Sequence, residues 1–435
     1  MISSFSILFV GGLLSPPLWR REGFLRLAAL GVLFLGLLFA GNGLGLAGFA
    51  ATGVSTLFTS VLILALAAVI LHTDDEITMT QTLFLGAAAV ALLQSRSLLA
   101  FLVAFEAVSL LSVVLVSQIR SREQAEGAVK IFIAGAVATG ILMFGAFLYT
   151  LDGGKLLEPI KALNGYYGVA GVFIMLLGVF YKLTIVPMHN WAVDTYALVR
   201  ADHAALLSGA AKTVAALGAF VVFAPALKGS LSLTVPVLVT LALLTMTVGN
   251  FMALTQKKLA RILAWSSVAH AGYMLLAFAA VRSGMALTGL LYMAIAYLFM
   301  QSAVFLVLDL LRRKGMESLE DIAGLGGRSP VLSLFFTLQL FSLAGIPLLA
   351  GFLGKAILFY AGVDAGLWWA VLIALLNSAL SVAYYAWIVK QLWFDESKGM
   401  KEELLSANTF SAQAILLAGT LWFGIFAGTV FAAVA

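Results

Sequence analysis

Cysteine is absent from the 435 residues, and charge is scarce: Asp, Glu, Lys and Arg together make up 10%, against about 25% in ordinary soluble domains. The first absence excludes disulfides, thiol chemistry and iron–sulfur clusters on thiolate ligands. The second excludes a soluble surface for a chain that is 63% hydrophobic. Only four histidines occur, too scattered to suggest a metal site. No GxGxxG follows a strand pattern, no Walker motif is present, and Gly324-Leu325-Gly326-Gly327 reads as a loop without the flanking pattern of a nucleotide site. The formal charge of +5 is not a nucleic-acid footprint, because the basic residues fall mainly in short loops, where they orient a membrane protein.

What is present is a series of apolar runs of about 20 residues, the length that crosses roughly 30 Å of hydrocarbon as a helix. Helices are required because lipid satisfies no backbone polar group, and barrel strands would alternate apolar with polar residues. The sequence predicts an all-α polytopic membrane protein with about fourteen spans. They lie near 2–16, 24–48, 51–72, 79–97, 98–118, 127–150, 167–188, 201–226, 231–254, 262–281, 285–310, 331–359, 366–392 and 409–434.

The loops after the first, fifth, ninth, eleventh and thirteenth spans carry Arg20-Arg21, Arg120 with Arg122, Lys257-Lys258 with Arg261, Arg312-Arg313-Lys314, and Lys390, Lys398 and Lys401. All are odd-numbered loops and so share one side. The positive-inside rule then places both termini on the outer face of an energy-transducing membrane. In Met1–Pro16 the charges follow the apolar run, the wrong order for a cleavable signal.

Four ionisable residues interrupt apolar helices: Glu106 in LLAFLVAFEAVSLLSVVLVSQ, Lys182 in GVAGVFIMLLGVFYKLTIVP, Lys212 in ADHAALLSGAAKTVAALGAFVVF, and Lys355 in SLAGIPLLAGFLGKAILFY. A charge at mid-membrane costs roughly 2.5–3.5 kcal/mol on insertion scales. None of the four is close enough to a helix end to snorkel, so they are expected to face a hydrated interior and to pair with one another. A lone intramembrane charge can be a helix–helix tether, but three cations with too few anions suit a proton relay better. Pro187 and Pro347 each fall in or at the end of a span that holds a buried lysine. Helix breaks beside charges in corresponding positions of two halves mark transporter sites.

Secondary candidates carry weaker signals. Lys130, four residues after Glu126, is expected at a membrane boundary. His270 in SSVAHAGY reads as a satisfied core histidine or as a bridge between the halves. His189 and His203 are placed at span ends on the outer side, where they would serve an exit path.

Five stretches in this order and spacing carry a resemblance: LVAFEAVSLLSVVLV, GVFYKLTIVPMHNWAVDTY, SGAAKTVAALGAF, VGNFMALTQKKLARILAWSSVAHAGYM and LFSLAGIPLLAGFLGKAILFY. The chain resembles, over roughly residues 80–395, the antiporter-like membrane subunits of respiratory complex I, shared with Mrp-type Na⁺/H⁺ antiporters and membrane-bound hydrogenases. It is most similar to the N-type branch, because a lysine stands at position 355 and no long lateral helix follows the last span.

The resemblance implies two inverted five-helix repeats with the seventh and twelfth helices broken. The corresponding regions are 1–78 (N-terminal helices), 79–226 and 231–392 (the repeats) and 409–434 (a last helix). It implies that Glu106 modulates Lys182, that Lys212 is the central carrier and that Lys355 is the distal one. No cofactor is implied in this chain. Flavin, iron–sulfur clusters and quinone are expected in partner subunits, which include antiporter-like paralogues, and the transported ion is H⁺ or Na⁺. Two assemblies fit: a complex I-like NAD(P)H, ferredoxin or F420 oxidoreductase acting on quinone, and an Mrp-type antiporter, hydrogenase or proton-coupled uptake complex. One stretch departs from the family. Ala192-Val193-Asp194-Thr195-Tyr196 lacks the usual proline before its aspartate, and ALVRADHAALL brings Arg200, Asp202 and His203 to the mouth of the next span.

Overall fold

Apolar runs this close together become separate helices only if something stops each one, and polar caps do so here. In the computed structural model Thr52 and Ser55 form a reciprocal capping box, and the side chains of Asp75, Ser97 and Ser121 accept from the backbone N–H groups of Thr78, Ala100 and Gln124. The cap at Ser97 divides the abutting runs at 79–118 into two helices.

The structure describes residues 3–15, 22–119, 121–161, 165–229, 231–396 and 404–434. The ends of the first predicted span, and Arg20, Arg21, Arg120, Lys398 and Lys401 of the charge pattern, lie outside them.

In chain order the helices are α1 (Ser4–Leu14), α2 (Glu22–Leu38), α3 (Gly53–His72), α4 (Glu76–Gln94), α5 (Leu98–Val116), α6 (Arg122–Leu151), α7 (Tyr166–Leu183), α8 (Asn190–Leu198), α9 (Ala201–Ala205) and, after a π-helical segment at Leu206–Ala211, α10 (Lys212–Gly229). There follow α11 (Leu231–Leu254), α12 (Leu259–Ala279), α13 (Ala286–Arg313), α14 (Leu325–Arg328), α15 (Pro330–Ala344), α16 (Ala350–Asp364), α17 (Trp368–Trp393), α18 (Ala407–Ile425) and α19 (Gly428–Val434). Among the described residues ten helices, counting Ala201–Gly229 as one, are long and apolar enough to cross a membrane, and α18 with α19 forms a further span bent by 78°. α1, α2 and α15 are shorter apolar helices.

Two interruptions fall where the prolines predict them. α7 ends at Thr184, which adopts the left-handed conformation (φ 65°), and α8 resumes at Asn190 beyond Pro187. α15 ends at Gly345 (φ 94°), and α16 resumes at Ala350 beyond Pro347. Residues 189–200, expected as a loop, are largely α8. The chain therefore continues as helix beyond the break before it turns. The Gly324–Gly327 stretch likewise contains the single turn α14 instead of open loop.

Burial sorts the helices into a centre and a rim. The apolar stretches of α12 and α13 are wholly buried and that of Ala201–Gly229 nearly so, whereas those of α6, α11 and α17 are less than half buried. A helix apolar all round belongs in a core or in lipid, and both cases occur here. The central helices carry Lys212 and His270, so the protein itself surrounds these groups.

Backbones approach closely where small residues permit it. A Cβ on Gly171 of α7 would lie 2.6 Å from the carbonyl oxygen of Gly145 on α6, while Gly135 has open space around it. Gly171→Val is expected to destabilise the protein by about 1–3 kcal/mol, the usual effect of overpacking, and Gly135→Ala to leave it unchanged. Thermal unfolding of the two variants in detergent checks this; equal melting temperatures would contradict the close α6–α7 packing.

Candidate functional site: buried lysines and their oxygens

Lys182 occupies the last turn of α7 and is buried, and its Nζ donates to Ser112 Oγ of α5 at 2.9 Å. Glu106 is only half-buried. Its two carboxylate oxygens accept from Thr139 Oγ1 of α6, at 2.9 and 2.8 Å. Both residues line one cavity of about 300 Å³, together with Tyr181 and Trp191. They share this space without touching.

Lys212 begins α10 directly after the π-helical segment and is 1% exposed. Its Nζ donates to Thr184 Oγ1 at 2.9 Å, Ser267 Oγ at 2.5 Å and the Ser267 carbonyl at 3.1 Å. The Tyr196 ring lies 5.5 Å away, a cation–π distance. Thr184 is the residue that ends α7, so the helix break supplies a ligand for this ammonium.

Ser267 also accepts from Tyr297 Oη at 2.8 Å. One helical turn further along α12, His270 is buried with its ring 5.2 Å from that of Tyr297, and its Nδ1 is 2.9 Å from the Ser266 carbonyl. His270 Nε2 has no hydrogen-bond partner among the described residues.

Lys355 sits on α16, buried, and donates to the carbonyls of Leu343 and Ala344 at 2.9 and 3.1 Å and to Ser378 Oγ at 3.1 Å. Those carbonyls are orphans at the C-terminus of α15, where the helix dipole favours a cation. Gly345 is needed twice over: its φ is positive, and a Cβ there would lie 3.3 Å from Lys355 Cδ. The Tyr273 ring, 5.2 Å from Nζ, closes the other side. Tyr273 in turn joins a polar set in which Asn250 bonds Asn377 and Tyr384, while Ser266 bonds Tyr385.

The expectation that the four charges pair with one another is not met. Among the described residues no ion pair joins any two of them, and their partners are hydroxyls, carbonyls and aromatic faces. The reason is dielectric. A fixed buried ion pair has poor returns against desolvation, whereas short polar dipoles satisfy an ammonium while remaining hydrogen-bonded themselves.

Of the secondary candidates, Lys130 bonds Glu126 and Asp194 at 2.5 Å each, partly exposed at one end of the bundle. His189 lies inside the bundle and not at its surface. It is buried in the α7–α8 break with its ring 5.3 Å from Trp265. His203 lies at the face that carries basic residues, close to Arg200 and Ala201, which line a cavity with Lys257, Arg261 and Arg312. α8 carries the chain back to the basic face, where Arg312 of α13 donates to the carbonyls of Ala197 and Val199. Ser121, Glu123, Lys257, Lys258, Arg261, Arg312 and Arg313 line one cavity there, of about 840 Å³, so two of the predicted basic clusters share a face, with the neighbours of Arg122 beside them.

The hydroxyl partners Ser112, Thr139, Thr184, Ser267 and Ser378 escaped the sequence reading, because Ser and Thr are common in membrane helices. One signal was available: Ser266, Ser267, His270 and Tyr273 recur at three- and four-residue spacing and so share a helix face.

A bundle of this kind, all-helical, with buried lysines beside two broken helices, defines an antiporter-like integral membrane protein. Residues 95–381 match the family model described as NADH:quinone oxidoreductase/Mrp antiporter, TM, and the chain belongs to that family. It is 38% identical over 317 residues to an NADH-quinone oxidoreductase subunit N of Trichlorobacter lovleyi, covering 69% of this chain and 64% of that protein. It is 33% identical over 372 residues to an F(420)H(2) dehydrogenase subunit N of Methanosarcina mazei, covering 81% and 75%. Among solved structures, a chain of respiratory complex I from Thermus thermophilus superposes with a TM-score of 0.85 at 28% identity, covering 99% of both chains. A chain of the Mrp complex from Dietzia sp. shares the fold, with a TM-score of 0.87 at 20% identity, covering 98% of this chain and 94% of its own.

Because Lys212 is buried without a carboxylate, its charge opposes folding. Lys212→Met, similar in volume and uncharged, is expected to hold or raise thermal stability, by about 1 kcal/mol or more where relief of desolvation dominates. Thermal unfolding of the purified protein measures this, and a melting temperature several degrees lower would show that the lysine is a structural tie.

Proposed function

We propose that this chain is a proton-translocating membrane subunit of a complex I-like NAD(P)H, ferredoxin or F420 oxidoreductase acting on quinone. Redox chemistry in partner subunits drives protons through it. One observation carries the reading: each buried lysine is hydrogen-bonded to neutral oxygens and, among the described residues, in ion-pair contact with no carboxylate, so a nearby charge can change its protonation. Desolvation and neighbouring charge act on such a group in opposite directions. The carboxylate of Glu106, sharing a cavity with Lys182, is the modulating charge. Lys212 is the central carrier and Lys355 the distal one, with the Ser267–Tyr297–His270 group between them. Lys130 and Asp194 are peripheral.

In this reading the chain makes fourteen spans, and 79–226 and 231–392 are inverted five-helix repeats. The 1–78 helices and the 409–434 helix flank them, with both termini outside. The two helix breaks at corresponding positions support it. Flavin, iron–sulfur clusters and quinone belong to other subunits, among them antiporter-like paralogues. An Mrp-type cation/proton antiporter is the second reading, favoured by the shared fold with the Dietzia complex. Sequence identity favours the first, since the relatives that match at 33–38% are oxidoreductase and dehydrogenase subunits. Flavin and iron–sulfur absorbance in the complex purified through this chain separates the two.

In that complex, reconstituted in liposomes, Lys182→Ala and Lys212→Ala are each expected to lower the number of protons moved per electron. An unchanged ratio in both variants removes the relay.

A further inference from the structure

The relay lysines leave a second group of buried titratable side chains unused, at the basic face. Asp202 is fully buried and His203 is 1% exposed. Arg200 donates to both carboxylate oxygens of Asp202, at 3.1 and 2.6 Å, and to Asp75 Oδ2 at 3.0 Å. Asp202 also accepts from Thr73 Oγ1 at 3.1 Å and from its neighbour's backbone, His203 N–H, at 2.9 Å. Behind them, His72 at the end of α3 bonds Asp309 of α13 at 3.1 Å.

A continuous hydrogen-bonded line runs through this group. Thr78 Oγ1 is 2.5 Å from Asp75 Oδ2 and 2.9 Å from His203 Nε2. A carboxylate only accepts, so the hydroxyl donates to Asp75 and its lone pair takes the proton of His203 Nε2. Asp75 lines a cavity of about 410 Å³ with Asp74, Arg200 and Arg313, and Arg200 and Arg313 also line the 840 Å³ cavity beside it. Two spaces large enough for several waters therefore meet at Arg200.

On the other side, only the π-helical Leu206–Ala211 separates His203 from Lys212, a rise of about 13 Å at 1.5 Å per residue. π-turns inside α-helices are frequent at functional sites. Ser208 lies on this one, and Ser302 Oγ of α13 sits 2.6 Å from where a Gly209 Cβ would be.

Asp75 is held as an anion. Burial pushes its carboxyl upward, but the hydrogen bonds from Thr78 and the charge of Arg200 outweigh this and leave it below the usual carboxylate range. The charged and titratable groups facing His203 are Asp202 and Arg200 on its own segment, Asp75 at the head of α4 and Asp309 on α13, and His72 on α3 acts on Asp202 in turn.

We propose that Asp75, Thr78 and His203 form the inlet through which protons from the compartment at the basic face reach Lys212, with Arg200 and Asp202 as positioning residues. The inlet rests on the relay reading of Lys212. Before uptake His203 carries its proton on Nδ1. A proton arriving on Asp75 passes to Thr78 Oγ1 as the Thr78 hydroxyl gives its own to His203 Nε2. The Nδ1 proton ends on the neutral Lys212 amine, which leaves the hydrogen-bond pattern seen here with no other bond made or broken. Asp202 and Arg200 do not carry the proton. They hold His203 and Asp75 in line.

The complex reconstituted in liposomes, with imidazole added on one side at a time, tests the assignment. His203→Ala is expected to slow proton translocation on the order of a hundredfold, the lower end for a positioned proton-transfer group. Imidazole at the basic face restores it and imidazole at the opposite face does not. Thr78→Val, which keeps the side-chain shape and removes only the hydroxyl, is expected to show a similar loss without rescue. Normal translocation in Thr78→Val overturns the inlet, as does a His203→Ala defect that imidazole fails to relieve, since a purely structural tie behaves that way. If His203→Ala does not assemble, Thr78→Val decides alone. Lys212→Ala run in parallel separates the levels. A defect there with normal Thr78→Val removes the inlet and keeps the relay, whereas normal translocation in Lys212→Ala removes both.

Discussion

The ammonium of Lys212 lies at the centre of an apolar bundle, held by Thr184, Ser267 and the face of Tyr196. A charge there has no lipid, bulk water or carboxylate to satisfy it, so oxygens must come from the backbone and from small hydroxyl side chains. That need explains features that are otherwise separate. α7 stops at Thr184 in a left-handed turn, which frees its hydroxyl for the lysine. α12 is buried on all sides, which keeps Ser267 and His270 at the same depth as the charge.

The second half meets the same need differently. Lys355 takes the last two carbonyls of α15, which the break at Gly345 leaves without helical partners. In both halves a helix end is opened inside the bundle and its polar groups are turned on a cation. Irregular backbone at membrane depth is tolerated only where protein or water covers it, and here the lysine itself is part of the cover. Solved chains at 28% and 20% identity keep this fold, so the architecture survives extensive exchange of side chains.

The basic face adds a second organising element. α8 brings Arg200 to the junction of α3 and α4, where it meets Asp75 and Asp202. Arg313 meets Asp309 and Asp74 close by. These pairs tie the N-terminal helices to the centre of the bundle, beside cavities large enough for several waters at the basic loops. Glu106, by contrast, is half-buried, in a cavity lined by residues of α5 and α6 that it shares with Lys182.

Much of this was legible in the sequence, and the limit has a physical cause. The solvent, the helical class, the placement of Lys182, Lys212 and Lys355 inside apolar runs, and the breaks near Pro187 and Pro347 follow from local composition. Apolar length and proline chemistry act over one or two turns. Glu106 was read as deeply buried because its helix is apolar on every face, and such a helix does not reveal which face meets a neighbour. His189 and His203 flank the seventh, odd-numbered loop, which the charge count already assigns to the basic face, so placing them on the outer side went against that count. Residues 190–198, expected as a loop, become a helix by packing against α6 and α12. The partners of the lysines were out of reach. Ser112 lies 70 residues from Lys182, and Thr184 and Ser267 lie 28 and 55 residues from Lys212. The sequence by itself determined that charges would be buried and where along the chain. Only the tertiary structure decided what each one touches, because a hydroxyl acquires its role from the helix packed against it.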